Sequence, residues 1–169
     1  TSVSAGLNPT RDWKRRTRDQ EWRVGDTVNA SIGQGYVLTT PLQLAVMTAR
    51  LATNKAILPR LVRDPLERAL PQAASLDLRP EWLRMVRRGM YETVNNARGT
   101  AYSSRIVAQG QEMSGKTGTS QVFSITRAER EAGIRSQDQL PWNRRNHALF
   151  VNFAPVENPR IAVSVVVEH

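Results

Sequence analysis

Residues 114–121 read Ser-Gly-Lys-Thr-Gly-Thr-Ser-Gln, and they place one Lys among small residues at the start of a stretch with many β-branched side chains. The chain has 24 Lys plus Arg, of which only Lys14, Lys55 and Lys116 are Lys. Arg therefore supplies almost every generic positive charge. An ammonium is a compact point charge with three donors that can lose its proton when buried, unlike a guanidinium. Lys116 is therefore the first candidate functional residue.

Two motifs with incompatible structures overlap at this Lys. Residues 110–117 match GxxxxGK[ST], the phosphate-binding loop, which requires the Lys and the following Thr to open a helix. The residues after Lys116 are a Gly and several β-branched residues, which form helices poorly. A strand is therefore favoured over a nucleotide-binding loop.

On a strand, the same residues can recognise a peptide. Lys116 supplies a cation, Thr117 and Thr119 supply hydroxyls, and Gly118 lets another backbone lie close. Together they can bind a terminal carboxylate and align its peptide as an added strand. The simpler alternative is an edge strand with a solvated Lys, because a Lys-Thr-Gly triplet often occurs by chance.

Bulk composition limits the function classes. The chain has 169 residues and 40% hydrophobic content, which is typical of one globular domain. It has no Cys, which excludes disulfides, thiol catalysis and Cys-ligated zinc. His147 and His169 lack partners at metal-ligand spacing, so no metal is expected. No cofactor is expected either. The net charge is +9, but acidic residues interleave with the densest basic run, residues 14–18, so we expect a self-neutralised segment and no nucleic-acid partner.

Residues 1–97 are expected to be a loop followed by a helical part. Residues 1–39 lack periodicity and are predicted to be mostly loop. A capping box at Thr40-Pro41-Leu42-Gln43 predicts a helix to about Thr53 that is apolar almost all round and buried. An irregular stretch with Pro59, Pro65 and Pro71 follows. The second helix starts at Pro80 and ends near residue 95, with a predicted core face of Trp82, Val86, Met90 and Val94.

Residues 113–168 are expected to form antiparallel strands. The candidate strands are residues 113–123, 147–154 and 160–168. Five residues join the last two strands, which is short enough only for an antiparallel hairpin. A long insertion occupies residues 124–146, and residues 127–133 within it are compatible with a helical turn. The predicted fold class is α+β, an antiparallel sheet packed with helices.

Five ordered motifs carry a family resemblance. They are Asp26-Thr27, Ser31-Ile32-Gly33-Gln34-Gly35, Thr40-Pro41-Leu42-Gln43-Leu44-Ala45, Gly99-Thr100-Ala101 and Ser114-Gly115-Lys116-Thr117-Gly118-Thr119. In order and spacing they resemble the C-terminal half of the transpeptidase domain of class B penicillin-binding proteins. The Leu140-Pro141-Trp142 segment that leads into His147 further resembles the elongation-specific subgroup, penicillin-binding protein 2. The resemblance implies a penicillin-binding/β-lactamase-like fold over residues 1–169.

The same resemblance implies a function and a set of roles. It implies a peptidoglycan D,D-transpeptidase, with Lys116 catalytic and Thr117, Gly118 and Thr119 binding the substrate or a β-lactam. No Ser lies in an SxxK or SxN motif, so the nucleophile, its Lys and the middle motif are expected upstream of Thr1 in a longer protein. The isolated chain is then expected to be inactive. A non-catalytic or sensor domain of the same fold remains the alternative.

The resemblance also implies partners and a location. The partners would be peptidoglycan stem peptides, β-lactams, the rest of the same transpeptidase domain and other cell-elongation membrane proteins. The expected location is the periplasm, with the full-length protein anchored in the inner membrane.

Overall fold

The computed structural model contains a three-stranded antiparallel sheet. Its strands are β1 (Ser114–Ser120), β2 (His147–Ala154) and β3 (Ile161–Val167), in the order β1-β2-β3. β2 and β3 pair antiparallel from Ala148 opposite Val167 to Ala154 opposite Ile161. This pairing confirms the predicted hairpin. The β-branched residues of β3 favour a strand, and the connection is too short for a crossover.

The structure describes residues 4–62, 72–123, 127–133 and 136–168. The chain divides into two units, residues 1–40 with 120–147 and residues 41–119 with 148–168. Pro65 and Pro71 of the predicted irregular stretch lie outside the described residues, as do residues 124–126, 134 and 135 of the insertion. The α+β fold class is confirmed.

Two helices supply the core of residues 41–119 and 148–168. They are α3 (Pro41–Thr53), which lies against β3, and α4 (Pro80–Asn95), which also contacts α3. Ala52, Met90 and Phe153 form one buried cluster, and Val94, Ala101 and Met113 form a second. Phe153 is 1% exposed, and complete burial of such a side chain stabilises the fold by about 1.5–3 kcal/mol. The second cluster joins the end of α4 to the residue that precedes β1.

The predicted core faces of both helices need correction. In α3, Thr48 and Ala52 are buried but Leu42 and Met47 are 40% and 43% exposed, so burial almost all round is wrong. Among the described elements, α3 meets β3 and α4, and most of its other residues are half-buried.

In α4 the buried row is Leu83, Met90 and Val94, whereas Trp82 is 56% and Val86 44% exposed. The i, i+4 pattern identified the helix and its buried residues Met90 and Val94 correctly, but in the first turns Leu83 is buried instead of Trp82 and Val86. The packing of α4 decides which of these residues is buried.

Two short helices interrupt the predicted loop of residues 1–39. They are α1 (Arg11–Arg18) and α2 (Val24–Ser31). Thr10 caps α1 by accepting a hydrogen bond from the Trp13 N–H at 3.1 Å, and basic residues occupy the last turn, where they complement the helix dipole. α1 carries charges on most of its surface and lacks the apolar period that predicts a helix, which is why the sequence indicated loop.

A partly buried ion pair joins α1 to α2. Lys14 is 3% exposed and its Nζ donates to the Asp26 carboxylate at 2.6 Å. The Lys14 hydrogen bond, with a second from the Arg23 backbone N–H, holds the pKa of Asp26 below its ordinary value. Arg15 also pairs with Glu21, at 3.1 Å. The expectation that neighbouring acids neutralise this basic run is confirmed for Arg15, whereas Lys14 pairs with a carboxylate of the next helix.

The long insertion is partly helical. It contains α5 (Arg127–Glu131), which confirms the helical turn expected within residues 127–133, and two short 3₁₀ helices, Gln137–Gln139 and Trp142–Arg144. Among the described residues, no helix is both long enough and apolar enough to span a membrane.

Candidate functional site

β1 lies unusually close to β2 at Gly115. A Cβ added to Gly115 would lie 2.7 Å from the Val151 carbonyl oxygen and 2.7 Å from the Phe150 ring. Ser114 and Gly115 are both buried, whereas Lys116, Gly118 and Thr119 are exposed. The start of β1 is therefore fixed against the sheet, and the Lys-Thr-Gly-Thr segment follows on its accessible part.

Lys116 and Thr117 occupy a regular strand, which removes the phosphate-loop interpretation. A phosphate loop would require them to begin a helix, and residues 114–120 are strand throughout. Strand alternation places Thr117 and Thr119 on one face and Lys116 on the other. The two Thr hydroxyls are therefore on the same side of the strand, as a shared carboxylate would require.

Lys116 lies at an open groove beside the end of α4. Its exposed side chain turns along the strand, and Nζ donates to the Thr117 carbonyl oxygen at 2.8 Å. The groove has a volume of about 330 Å³, and its lining includes Glu92, Arg98 and Thr100. Lys116 and Arg98 outnumber the single carboxylate of Glu92, so the charges favour an anionic group.

Thr117 has a specific partner that the sequence pattern does not predict. Its Oγ1 lies 2.8 Å from the Oγ1 of Thr100, and either hydroxyl can donate. Thr100 was identified only as part of a family motif, and nothing in its local pattern predicts a contact across 17 positions. Thr100 also lines the groove of Lys116, so it lies next to Thr117 and to the groove that holds Lys116.

Gly118 and Thr119 continue the strand and are both exposed. A Cβ on Gly118 would lie 3.3 Å from the Leu149 Cβ, which is tight but leaves room for a small adjustment. Because Gly118 has no side chain, another backbone could lie close to this part of β1.

The end of α4 is hydrogen-bonded both to the residue before β1 and to the residue after Thr100. The Asn95 side-chain N–H donates to the Met113 carbonyl oxygen at 3.0 Å, just before β1. The Ala101 N–H donates to the Thr93 carbonyl oxygen at 3.0 Å, just after Thr100. A Cβ on Gly99 would overlap the Thr93 carbonyl oxygen and lie 2.6 Å from the Glu92 carbonyl oxygen, so only Gly fits there. One helix end therefore anchors both Thr100 and β1.

A second cavity lies within residues 121–146 and contains none of the predicted site residues. It has a volume of about 390 Å³ and is lined by Phe123, Glu129, Leu140 and Arg144, among others. Arg144 pairs with Glu129 at 3.3 Å, and its guanidinium lies 5.3 Å from the centre of the Phe123 ring. Because its charged groups neutralise each other, this cavity lacks the anion preference of the groove at Lys116.

No metal site is found in the part of the chain that the structure describes, where no three His, Asp or Glu side chains come together as ligands. The groove holds the Lys116 ammonium, and β1 continues from it with the Thr117 and Thr119 hydroxyls.

A family model matches almost the whole chain. The penicillin binding protein transpeptidase domain matches residues 4–169. Peptidoglycan D,D-transpeptidase MrdA of Salmonella typhimurium is 32% identical over 173 residues, which cover 97% of this chain and 27% of that protein. MrdA of Acinetobacter baumannii is 35% identical over 179 residues, covering 99% of this chain and 25% of that protein. The chain thus spans about a quarter of the length of these curated relatives.

Solved structures give the same result. Pseudomonas aeruginosa PBP2, in complex with WCK 5153, matches with a TM-score of 0.71 and 39% identity, covering 98% of this chain and 34% of that one. Helicobacter pylori PBP2, in a complex with MreC, matches with a TM-score of 0.77 and 32% identity, covering 99% of this chain and 28% of that one. The resemblance inferred from the five sequence motifs is confirmed.

Proposed function

The chain belongs to the penicillin binding protein transpeptidase domain family and resembles penicillin-binding protein 2. We therefore propose that it supplies the carboxylate-binding half of a peptidoglycan D,D-transpeptidase active site. The observation that carries the proposal is the accessible strand segment from Lys116 to Thr119 at a groove with an excess of positive charge.

The proposed reaction is acyl transfer in two steps. A Ser hydroxyl attacks the penultimate D-Ala carbonyl of a stem peptide, the bond to the terminal D-Ala breaks, and an acyl-enzyme forms. An amine of a neighbouring peptidoglycan strand then attacks this ester, forms the cross-link and releases the Ser. A β-lactam acylates the same Ser, with opening of its ring.

Each residue of the motif has a proposed role. Lys116 adds positive potential for the substrate carboxylate and holds the Ser hydroxyl of an SxN motif in the proton-relay network. The hydroxyls of Thr117 and Thr119, which share a strand face, bind that carboxylate. Gly118 allows the substrate backbone to lie along β1. The Thr119 backbone N–H is one of two oxyanion-hole donors, and loss of one such donor costs about 10²- to 10³-fold in rate.

The nucleophile is proposed to lie in a part of the protein outside these 169 residues. No Ser of the chain stands in an SxxK or SxN motif. The relatives are about four times as long as the matched region, which leaves room for the missing motifs. The isolated chain is therefore proposed to be inactive.

The setting of the full-length protein follows from the same family. We propose a periplasmic enzyme anchored in the inner membrane that acts in cell-wall elongation and is inhibited by β-lactams. Because Helicobacter pylori PBP2 was solved with MreC, a membrane-associated elongation protein is the proposed kind of protein partner. The ion pairs within and next to the basic run argue against a nucleic-acid partner.

The test is covalent labelling of the full-length protein by a fluorescent penicillin. Labelling should be robust, and Lys116→Ala should slow it by about 10²-fold or more because it removes a group of the proton relay. Lys55→Ala is the matched control, since Lys55 is an exposed Lys outside the groove. Equal effects of the two substitutions would refute the role of Lys116.

Two further measurements separate the alternatives. Cross-linking of a D-Ala-D-Ala peptide supports an enzyme, whereas penicillin labelling without any peptide turnover supports a sensor domain. Labelling of the isolated 169-residue chain would refute the proposal that the nucleophile lies elsewhere.

A further inference from the structure

We propose that Thr100 is a positioning residue, whose hydroxyl orients the Thr117 hydroxyl toward the substrate carboxylate. This inference rests on the proposed function, because it assigns a task to a contact of the same site. The contact itself is direct, since the two Oγ1 atoms are 2.8 Å apart.

The chemistry of the ligand decides which hydroxyl donates. Each Thr hydroxyl has one proton, and an ionised carboxylate only accepts hydrogen bonds. To bind the carboxylate, Thr117 must give its proton to that ligand. Thr117 can then keep its contact with Thr100 only as an acceptor, so Thr100 must be the donor. Thr100, Thr117 and the carboxylate thus form a chain of two hydrogen bonds that point the same way, and such chains reinforce each other.

The framework around Thr100 is rigid enough for this task. Its neighbour Gly99 is packed on the last turn of α4 and leaves no room for a side chain. Its other neighbour, Ala101, is 5% exposed, and its backbone N–H donates a hydrogen bond to the Thr93 carbonyl oxygen. Thr100 is therefore an exposed side chain between two fixed positions.

β1 is tied to the same helix end, which fixes the second partner. Asn95 of α4 donates to the Met113 carbonyl oxygen, three residues before Lys116. The distance between Thr100 and Thr117 is thus set by α4. A fixed partner reduces the orientations of the Thr117 hydroxyl before the substrate arrives, which lowers the entropic cost of binding.

The test compares acylation of full-length protein variants by labelled penicillin. Thr100→Val keeps the branched shape but removes the donor, and should raise the ligand concentration for half-maximal acylation by about 2- to 10-fold, the effect of one neutral hydrogen bond. The limiting rate should change little, because the carboxylate is held equally before and during the reaction. Thr100→Ser retains a donor and should behave like the wild type. Ser103→Ala is the control, an exposed hydroxyl nearby that does not line the groove.

A double-variant comparison shows whether Thr100 acts through Thr117. In a Thr117→Val background, Thr100→Val should have no further effect, because the hydroxyl that it orients is gone. A full additional effect in that background would overturn the inference, as would wild-type behaviour of Thr100→Val or a Thr100→Ser variant that is equally impaired. If the wild-type protein is not acylated at all, the proposed function itself is refuted. If the wild-type protein is acylated but the variants give one of the contrary results above, only the role of Thr100 is refuted.

Discussion

Replacement of Gly115 by Ala tests whether β1 must lie as close to β2 as the structure shows. The added Cβ would meet the Phe150 ring and the Val151 carbonyl oxygen, each at 2.7 Å, and the Asn152 Cβ at 3.0 Å. The ring can rotate away, but the Val151 oxygen belongs to the backbone of β2, so the two strands must separate. Overpacking of this kind costs about 1–3 kcal/mol of unfolding free energy.

The assay is thermal unfolding of the full-length protein, followed by penicillin labelling. For a cooperative unit of about 150–250 residues, 1 kcal/mol lowers the Tm by about 2–4 °C, and a larger unit shifts less, so the expected decrease is a few °C and at most about 12 °C. Labelling should also slow, because displacement of β1 moves Lys116 and Thr117 away from Thr100.

Gly89→Ala provides the matched control for this Gly replacement. Gly89 lies inside α4, and nothing lies within 4 Å of a Cβ added there. Ala is favoured over Gly in a helix interior by about 0.5–1 kcal/mol, so the Tm of Gly89→Ala should not fall. A Gly115→Ala variant with the wild-type Tm would show that β1 and β2 are not in tight contact and would refute the reasoning.

Two other substitutions test a local contact and a charge. Gly118→Ala should lower the Tm by less than Gly115→Ala, because the nearest atom, the Leu149 Cβ at 3.3 Å, can shift. The Gly118→Ala variant should still be labelled more slowly by penicillin if a substrate backbone lies along β1. Unchanged labelling would contradict that proposed role of Gly118. Asp26→Asn removes a carboxylate whose pKa is lowered by Lys14 and by the Arg23 N–H. The stability that Asp26 contributes is present above its ordinary pKa of 3.8 and is lost as the pH falls through the lower folded-state pKa. Urea unfolding should therefore show a destabilised variant at pH 7 and a smaller difference from the wild type near pH 3, and an equal difference at both pH values would contradict the assignment.

The elements that the sequence predicted well are those whose own residues determine their conformation. β3 is a run of β-branched residues, and the Pro-flanked connection before it is too short for anything except a hairpin. α4 starts at Pro80, as predicted, because Pro fits the first turn of a helix and disrupts later ones. In each case the physical cause lies within a few neighbouring residues.

The features that the sequence missed depend on residues far apart in the chain. α1 has a polar cap but no apolar period, and its Lys14 finds a carboxylate only on the following helix. Which row of α4 is buried depends on α3 and the sheet, which is why Trp82 was wrongly placed in the core. The contact of Thr100 with Thr117 has the same origin, since the end of α4 brings the two residues together.

The overlap of two motifs at Lys116 shows why local pattern alone could not assign its chemistry. A phosphate loop needs a helix N-terminus, and a peptide-binding strand needs a backbone that another chain can approach. Gly115 favours the strand, because its missing side chain lets β1 pack against the Val151 backbone. Once that packing is formed, the hydroxyls of Thr117 and Thr119 share one face and the longer Lys116 side chain reaches the groove from the other. The Nζ uses one donor on the Thr117 carbonyl oxygen, which leaves two for an anion or a neighbouring hydroxyl. The scarce Lys in an Arg-rich chain thus stands where a compact ammonium suits the proposed proton relay better than a guanidinium.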